Sequence, residues 1–121
     1  MKYMLLVYMD EQAMTDEERQ RCYVESAQLT QELDANGQYL AAGPLHSVAT
    51  ATSVRVREGR RVVTDGPFAE TREQLGGYYI IEAQDLDEAI GIAERIPPAR
   101  YGTIEIRPVL EIDGLPNGTA K

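Results

Sequence analysis

Apolar residues along this chain recur with two periods, and each period predicts a type of element. Residues 2–9 alternate without losing hydrophobicity: Tyr3, Leu5, Val7 and Met9 share one face, and Met4, Leu6 and Tyr8 the other. A strand apolar on both faces is predicted to lie centrally in a sheet and to be covered on two sides. Tyr78-Tyr79-Ile80-Ile81-Glu82-Ala83 has the same character. Between these strands the period changes. Cys22, Ser26, Leu29 and Leu33 follow spacings of four, three and four, the stripe of a helix buried on one side. Thr15-Asp16-Glu17-Glu18 has the form of a capping box, and Asn36-Gly37 offers the stop, so a helix is predicted from there to about Ala35.

The remaining stretches complete the order. Tyr39-Leu40-Ala41-Ala42 reads as a short strand ended by Gly43-Pro44. Thr52 to Arg57 and Arg60 to Thr64 flank Glu58-Gly59 as a hairpin, with Val54 and Val56 on one face and Arg55 and Arg57 on the other. Asp85-Leu86-Asp87-Glu88 caps a second helix, whose Leu86, Ala89, Ile90, Ala93 and Ile96 are predicted to line one side before Pro97-Pro98 ends it. Thr103 to Val109 is the last long strand, and the chain from about 113 onward, with Gly114, Pro116, Asn117 and Gly118, reads as a loose tail.

Strand, helix, short strand, hairpin, strand, helix, strand is a split β-α-β arrangement with an inserted β-hairpin. The predicted class is α+β, a ferredoxin-like sandwich, with one domain over 1–110 and a tail over 111–121. Two helices cover only one face of such a sheet, while the central strands are apolar on both. The second face is therefore expected to meet another copy of the chain in a symmetric homodimer. Glu82, Glu105 and Arg107 fall on that half-buried side. They must lie at its rim or line a polar cavity, because buried charges need partners or water.

Composition narrows the function. The 121 residues suit one soluble domain, with 43% hydrophobic and 26% charged residues. A net charge of −8 argues against nucleic acid, since phosphate binding needs clustered Lys and Arg, and Arg55, Arg57, Arg60 and Arg61 only straddle a turn beside Glu58. The apolar N-terminal run is too short for a membrane span, and a lone Cys22 rules out an internal disulfide. A cytoplasmic location is the expectation. One His and one Cys leave zinc few of its usual ligands, and no phosphate loop or nucleophile elbow is present, so neither a metal nor a cofactor is expected.

The candidate chemistry centres on Asp65-Gly66-Pro67-Phe68, which puts a carboxylate, a hinge, a rigid ring and the only Phe side by side. It reads either as a tight turn or as a carboxylate aimed into a pocket with Phe68 as its wall. His46 is the only His, the residue type that exchanges a proton near neutrality, and it is either a solvated loop residue or a partner of Asp65. Tyr8 and Arg107 are core, interface or substrate-binding candidates, the guanidinium being suited to a carboxylate. The stretch Glu70 to Gly77 is either a lid or an acidic connector.

The run from Val63 to Tyr79, which contains Asp65-Gly66-Pro67-Phe68-Ala69-Glu70-Thr71-Arg72-Glu73-Gln74, closely resembles the signature of the DGPF proteins within the YCII-related group. Met1 to Leu6, Asp85 to Ala89 and Ile104 to Val109 are similar as well, so the resemblance spans about residues 1–110. It implies a dimeric α/β-barrel-like assembly of ferredoxin-like folds. It also implies a likeness to muconolactone isomerases and related small lyases, and a His–Asp pair as the proposed catalytic centre. The signature carries Asp65, whereas His46 does not align with the His of that pair. A setting beside extracytoplasmic-function sigma factors is implied too. Three readings follow: cofactor-independent acid/base chemistry on a small organic acid, with Asp65 and His46 as the acid/base groups; a ligand-binding or regulatory module; or a dimerisation domain without ligand.

Overall fold

The computed structural model describes residues 1–116. Six strands and two helices follow one another: β1 (Lys2–Met9), α1 (Asp16–Ala35), β2 (Tyr39–Pro44), β3 (Thr52–Arg57), β4 (Arg60–Asp65), β5 (Gln74–Glu82), α2 (Leu86–Ala93) and β6 (Thr103–Pro108). The main sheet has the order β2-β5-β1-β6 with every neighbour antiparallel, while β3 and β4 form a separate two-stranded sheet. This is the α+β, ferredoxin-like topology expected from the order of elements, with the hairpin inserted between β2 and β5. The tail residues Asn117 and Gly118 lie outside the described residues.

The capping box forms as predicted. The Thr15 side chain accepts from the Glu18 N–H at 3.1 Å and Glu18 returns the bond to the Thr15 N–H at 2.9 Å. These bonds stabilise the ionised Glu18 and hold its carboxyl below the ordinary value. From this start α1 buries Cys22, Leu29 and Leu33 against the sheet. On the sheet side Tyr3, Leu5 and Val7 of β1 and Tyr79 and Ile81 of β5 complete the core, closed at one end by Ala89, Ile92, Ala93 and Ile96.

Three expectations change. In α2 the buried face is Ala89, Ile92 and Ala93, whereas Leu86 and Ile90 are 52% and 44% exposed. An eight-residue helix is only about two turns long, so a modest rotation exchanges which of its apolar residues face the core. Strand β5 begins at Gln74, four residues before the apolar run, because Tyr8 and Met9 offer partners to Leu75 and Gln74. The Glu70 to Gly77 stretch is therefore half strand. Its remainder is tied down, by Thr103 to Glu73 at 2.8 Å and by Arg72 to Asp10 at 3.6 Å.

Among the described residues no helix covers the far face of the sheet. Met4, Leu6, Tyr8, Tyr78 and Ile80 share it and are only half-buried. The charges sit at its margin: Glu105 and Arg107 face each other at 3.4 Å on the edge strand β6, and Glu82 takes the N-terminal ammonium at 2.6 Å. Of the two places the sequence left open for them, the structure gives the rim.

Leu33→Ala removes a side chain with no exposure and is expected to lower unfolding free energy by about 3 kcal/mol in urea titration. Leu86→Ala and Ile90→Ala are expected to cost under about 1 kcal/mol each, because their side chains leave little apolar contact behind.

Candidate functional site

The cavity in this fold follows from missing side chains. At the end of the sheet beneath the first half of α1, the helix-facing positions are Ala42 of β2 and Gly77 of β5. Above them α1 presents Cys22, Ser26 and Ala27. At the other end of the same helix, Leu29 and Leu33 fill the space that these small residues leave open. The result is a cavity of about 720 Å³, within the usual size of small-molecule sites. Gly77 cannot be enlarged freely, since a Cβ there would stand 3.2 Å from the Gly43 carbonyl oxygen.

The walls combine flat apolar surface with a few polar groups. Val7, Met9, Met14, Tyr23, Tyr39 and Tyr79 line it, with Ser26 and Thr30 from α1 and His46 and Ser47 from the segment after β2. His46 is exposed, at the edge of the cavity. The segment that carries it is fixed by Glu11: one carboxylate oxygen accepts from the Ser47 hydroxyl at 2.8 Å and the other from the Val48 N–H at 2.9 Å. The Glu11 carbonyl in turn accepts from the Arg19 guanidinium at 2.9 Å, which joins this segment to the start of α1. Both oxygens of one carboxylate are thus used to hold the backbone next to His46.

Of the catalytic and substrate-binding candidates read from the sequence, the structure brings only His46 to the cavity, and the Gly76-Gly77 end of the stretch read as a lid lines it too. Asp65 is the last residue of β4, paired with Thr52 and exposed, and no hydrogen bond joins it to His46 within the chain. Gly66 takes a φ of 107° and donates its N–H to the Ala51 carbonyl at 2.7 Å, so the hinge closes the root of the hairpin. Pro67 and Phe68 follow, with Phe68 79% exposed under the Arg55 guanidinium. Tyr8 and Arg107 lie on the uncovered sheet face. Glu11 and Tyr23 were not singled out from the sequence, and Ser26 was read only as part of the buried helix stripe. The available signal was the run of small residues, Ala41-Ala42-Gly43 and Gly76-Gly77, on neighbouring strands opposite the Cys22 and Ser26 positions of the helix stripe.

Burial sets the protonation of two wall residues. Desolvation pushes the Cys22 thiol up, so it is held as the neutral thiol and is a poor nucleophile. Desolvation also raises the Tyr79 phenol, with Ser26 alongside opposing it. Among the described residues, no group of His, Cys, Asp and Glu side chains has the arrangement of a metal site. Among the described residues no helix is long and apolar enough to cross a membrane. Because both folded values are raised, the stability these groups contribute is complete below the ordinary thiol and phenol values. It is lost as pH rises through the raised ones. Thermal midpoints are expected to fall above about pH 8.5, and to fall less steeply in Cys22→Ala and Tyr79→Phe, as measured by circular dichroism across a pH series.

Known proteins are similar to this chain at both levels. An uncharacterised protein of Rhizobium meliloti (strain 1021) is 36% identical over 118 residues, covering 90% of this chain and 92% of that protein. A solved structure, the 5-chloro-2-hydroxyhydroquinone dehydrochlorinase from Burkholderia phenoliruptrix AC1100 in complex with 2,5-dihydroxybenzoquinone, shares the fold with a TM-score of 0.53. It is 14% identical and is matched over 91% of this chain and 94% of its own. The model of the YCII-related domain matches residues 1–113. With that match across nearly the whole described chain, the protein belongs to the YCII-related family.

Proposed function

We propose that this protein binds a small organic acid in the cavity beneath α1 and moves a proton on it without a cofactor, in isomerase- or lyase-like chemistry. The observation that carries the reading is the cavity itself: about 720 Å³ of space walled by tyrosine and methionine, with His46 at its edge. His46 takes a proton from one position of the bound molecule and returns it to another, so no oxidant or co-reactant is needed. The Glu11 bonds to Ser47 and Val48 hold the imidazole's backbone in place while it does so. A neighbour of the same fold that is a dehydrochlorinase and was solved with 2,5-dihydroxybenzoquinone is compatible with lyase-like chemistry on a small ring.

In this reading Asp65 does not act as the acid/base partner inside its own chain, because it stands outside the cavity at the root of the hairpin. Tyr8 and Arg107 serve the uncovered sheet face, which we infer is closed by a second copy packed sheet against sheet. A second reading, a non-catalytic ligand-binding or regulatory module, draws on the exposed apolar side chains of the hairpin. The two readings separate on whether a bound molecule is converted.

Titration calorimetry with 2,5-dihydroxybenzoquinone and a series of hydroxybenzoates tests the site. Ala42→Leu fills the cavity and is expected to weaken binding by roughly 100-fold or more, while Asp65→Asn leaves it within about twofold. His46→Gln is expected to retain binding within roughly tenfold but to abolish any conversion followed by absorbance. Wild-type affinity in Ala42→Leu would remove the cavity from consideration. In light scattering the purified protein is expected at twice 13.5 kDa, and a 13.5 kDa species at micromolar concentration would refute the dimer.

A further inference from the structure

A chain of net charge −8 repels an organic acid as a whole, so an acid that enters the cavity has to be received by a local cation. Among the described residues that line the cavity, Arg19 is the only Lys or Arg, and Glu11 is the only acid. Arg19 belongs to the stripe of α1 that faces the cavity. Arg19, Cys22, Tyr23, Ser26, Ala27 and Thr30 follow at spacings of three, one, three, one and three, the positions of one helix face. The helix therefore sets a permanent positive charge one turn ahead of the Cys22 thiol and the Tyr23 phenol.

The two charges of the wall are not equivalent. Both oxygens of Glu11 already accept bonds, from the Ser47 hydroxyl and the Val48 N–H, so its charge is met by donors. Arg19 gives one N–H to the Glu11 carbonyl at 2.9 Å and one to the Asp16 carboxylate at 3.1 Å. A guanidinium carries five N–H groups, so the others make no hydrogen bond among the described residues. Asp16 is fully exposed, and an exposed pair three residues apart on a helix is held weakly in water. The Arg19 side chain itself is only 31% exposed, so its charge is screened less on the side of the cavity.

We propose that Arg19 receives the carboxylate of the cavity's ligand, and that this ligand is an unsaturated ring acid. The inference rests on the cavity reading given above and adds the group that selects an acid. The planar guanidinium fork matches the two oxygens of a carboxylate. Tyr23, Tyr39 and Tyr79 supply flat walls for a ring. Glu11 ties the two ends of this recognition together. Its carbonyl holds Arg19 and its carboxylate holds Ser47 and Val48 beside His46, so a carboxylate seated on Arg19 fixes the ring with respect to the imidazole. Arg107, the guanidinium that the sequence offered for this role, faces Glu105 at 3.4 Å on the edge strand and does not line the cavity.

Titration calorimetry with 2,5-dihydroxybenzoate and 2,5-dihydroxybenzamide isolates the charge, because the two molecules differ only at the acid group. The wild type is expected to bind the benzoate roughly 30-fold more tightly than the amide. Arg19→Met is expected to bring the two within about threefold of each other by weakening the benzoate, with the amide held within about twofold of wild type. Arg19→Lys keeps a cation at the position and is expected to retain a preference of roughly tenfold, so a fold defect in Arg19→Met leaves the test in place. A wild type that binds both molecules equally, or an Arg19→Met variant with the wild-type preference, overturns the role of Arg19. The cavity reading then stands if Ala42→Leu still weakens the amide. A wild type that binds neither molecule overturns both.

Discussion

Two helices cannot cover both faces of a four-stranded antiparallel sheet, and the rest of this molecule is arranged around that limit. The central strands β1 and β5 are apolar on both sides, so burying Tyr3, Leu5, Val7, Tyr79 and Ile81 under the helices leaves Met4, Leu6, Tyr78 and Ile80 facing outward. Burial of the first set drives folding, because apolar area removed from water is the dominant favourable contribution. The second set is a surface that stays costly until something covers it. The charges are distributed accordingly, at the edge strand and the strand ends, where they keep their water.

The covered face is itself uneven, and the unevenness is where chemistry can take place. Leu29 and Leu33 close the sandwich at one end of α1. At the other end Cys22, Ser26 and Ala27 lie over Ala42 and Gly77, and the two layers do not meet. Interiors are close-packed, so a gap of this size departs from the packing on every side of it. Some of its polar groups, Ser26 and Thr30, belong to α1, and others come from outside the layers. His46 arrives on the segment after β2, whose next residues, Ser47 and Val48, are held by a carboxylate, Glu11, from the segment after β1. Two short connectors therefore build what neither helix nor sheet supplies, in keeping with function carried on loops placed by a rigid scaffold.

Much of this was legible from residue order. The capping box at Thr15 to Glu18, the Cys22, Leu29 and Leu33 stripe, the Glu58-Gly59 turn and the two-faced strands are local patterns, each decided within a few residues by backbone chemistry. The rotation of α2 was not legible: Leu86 and Ile90 have the hydrophobicity of core residues, but two turns of helix can be turned to bury Ile92 instead. The run from Asp65 to Phe68 stands out in the sequence for its unusual composition. In the fold that composition serves the root of a hairpin, through a Gly66 conformation that bulky residues avoid.

By itself the sequence determined the elements, their order, the ferredoxin-like topology and the existence of a second apolar face, because periodicity and capping act over short stretches of chain. The tertiary structure alone decided that His46 and Glu11, 35 positions apart, share one segment of wall, and that Asp65 stands away from it. It also decided that a cavity opens where small residues on three separate elements coincide. A void is defined by the atoms that are absent from every side of it. No local pattern can report that, since each small residue is unremarkable until packing sets the others opposite.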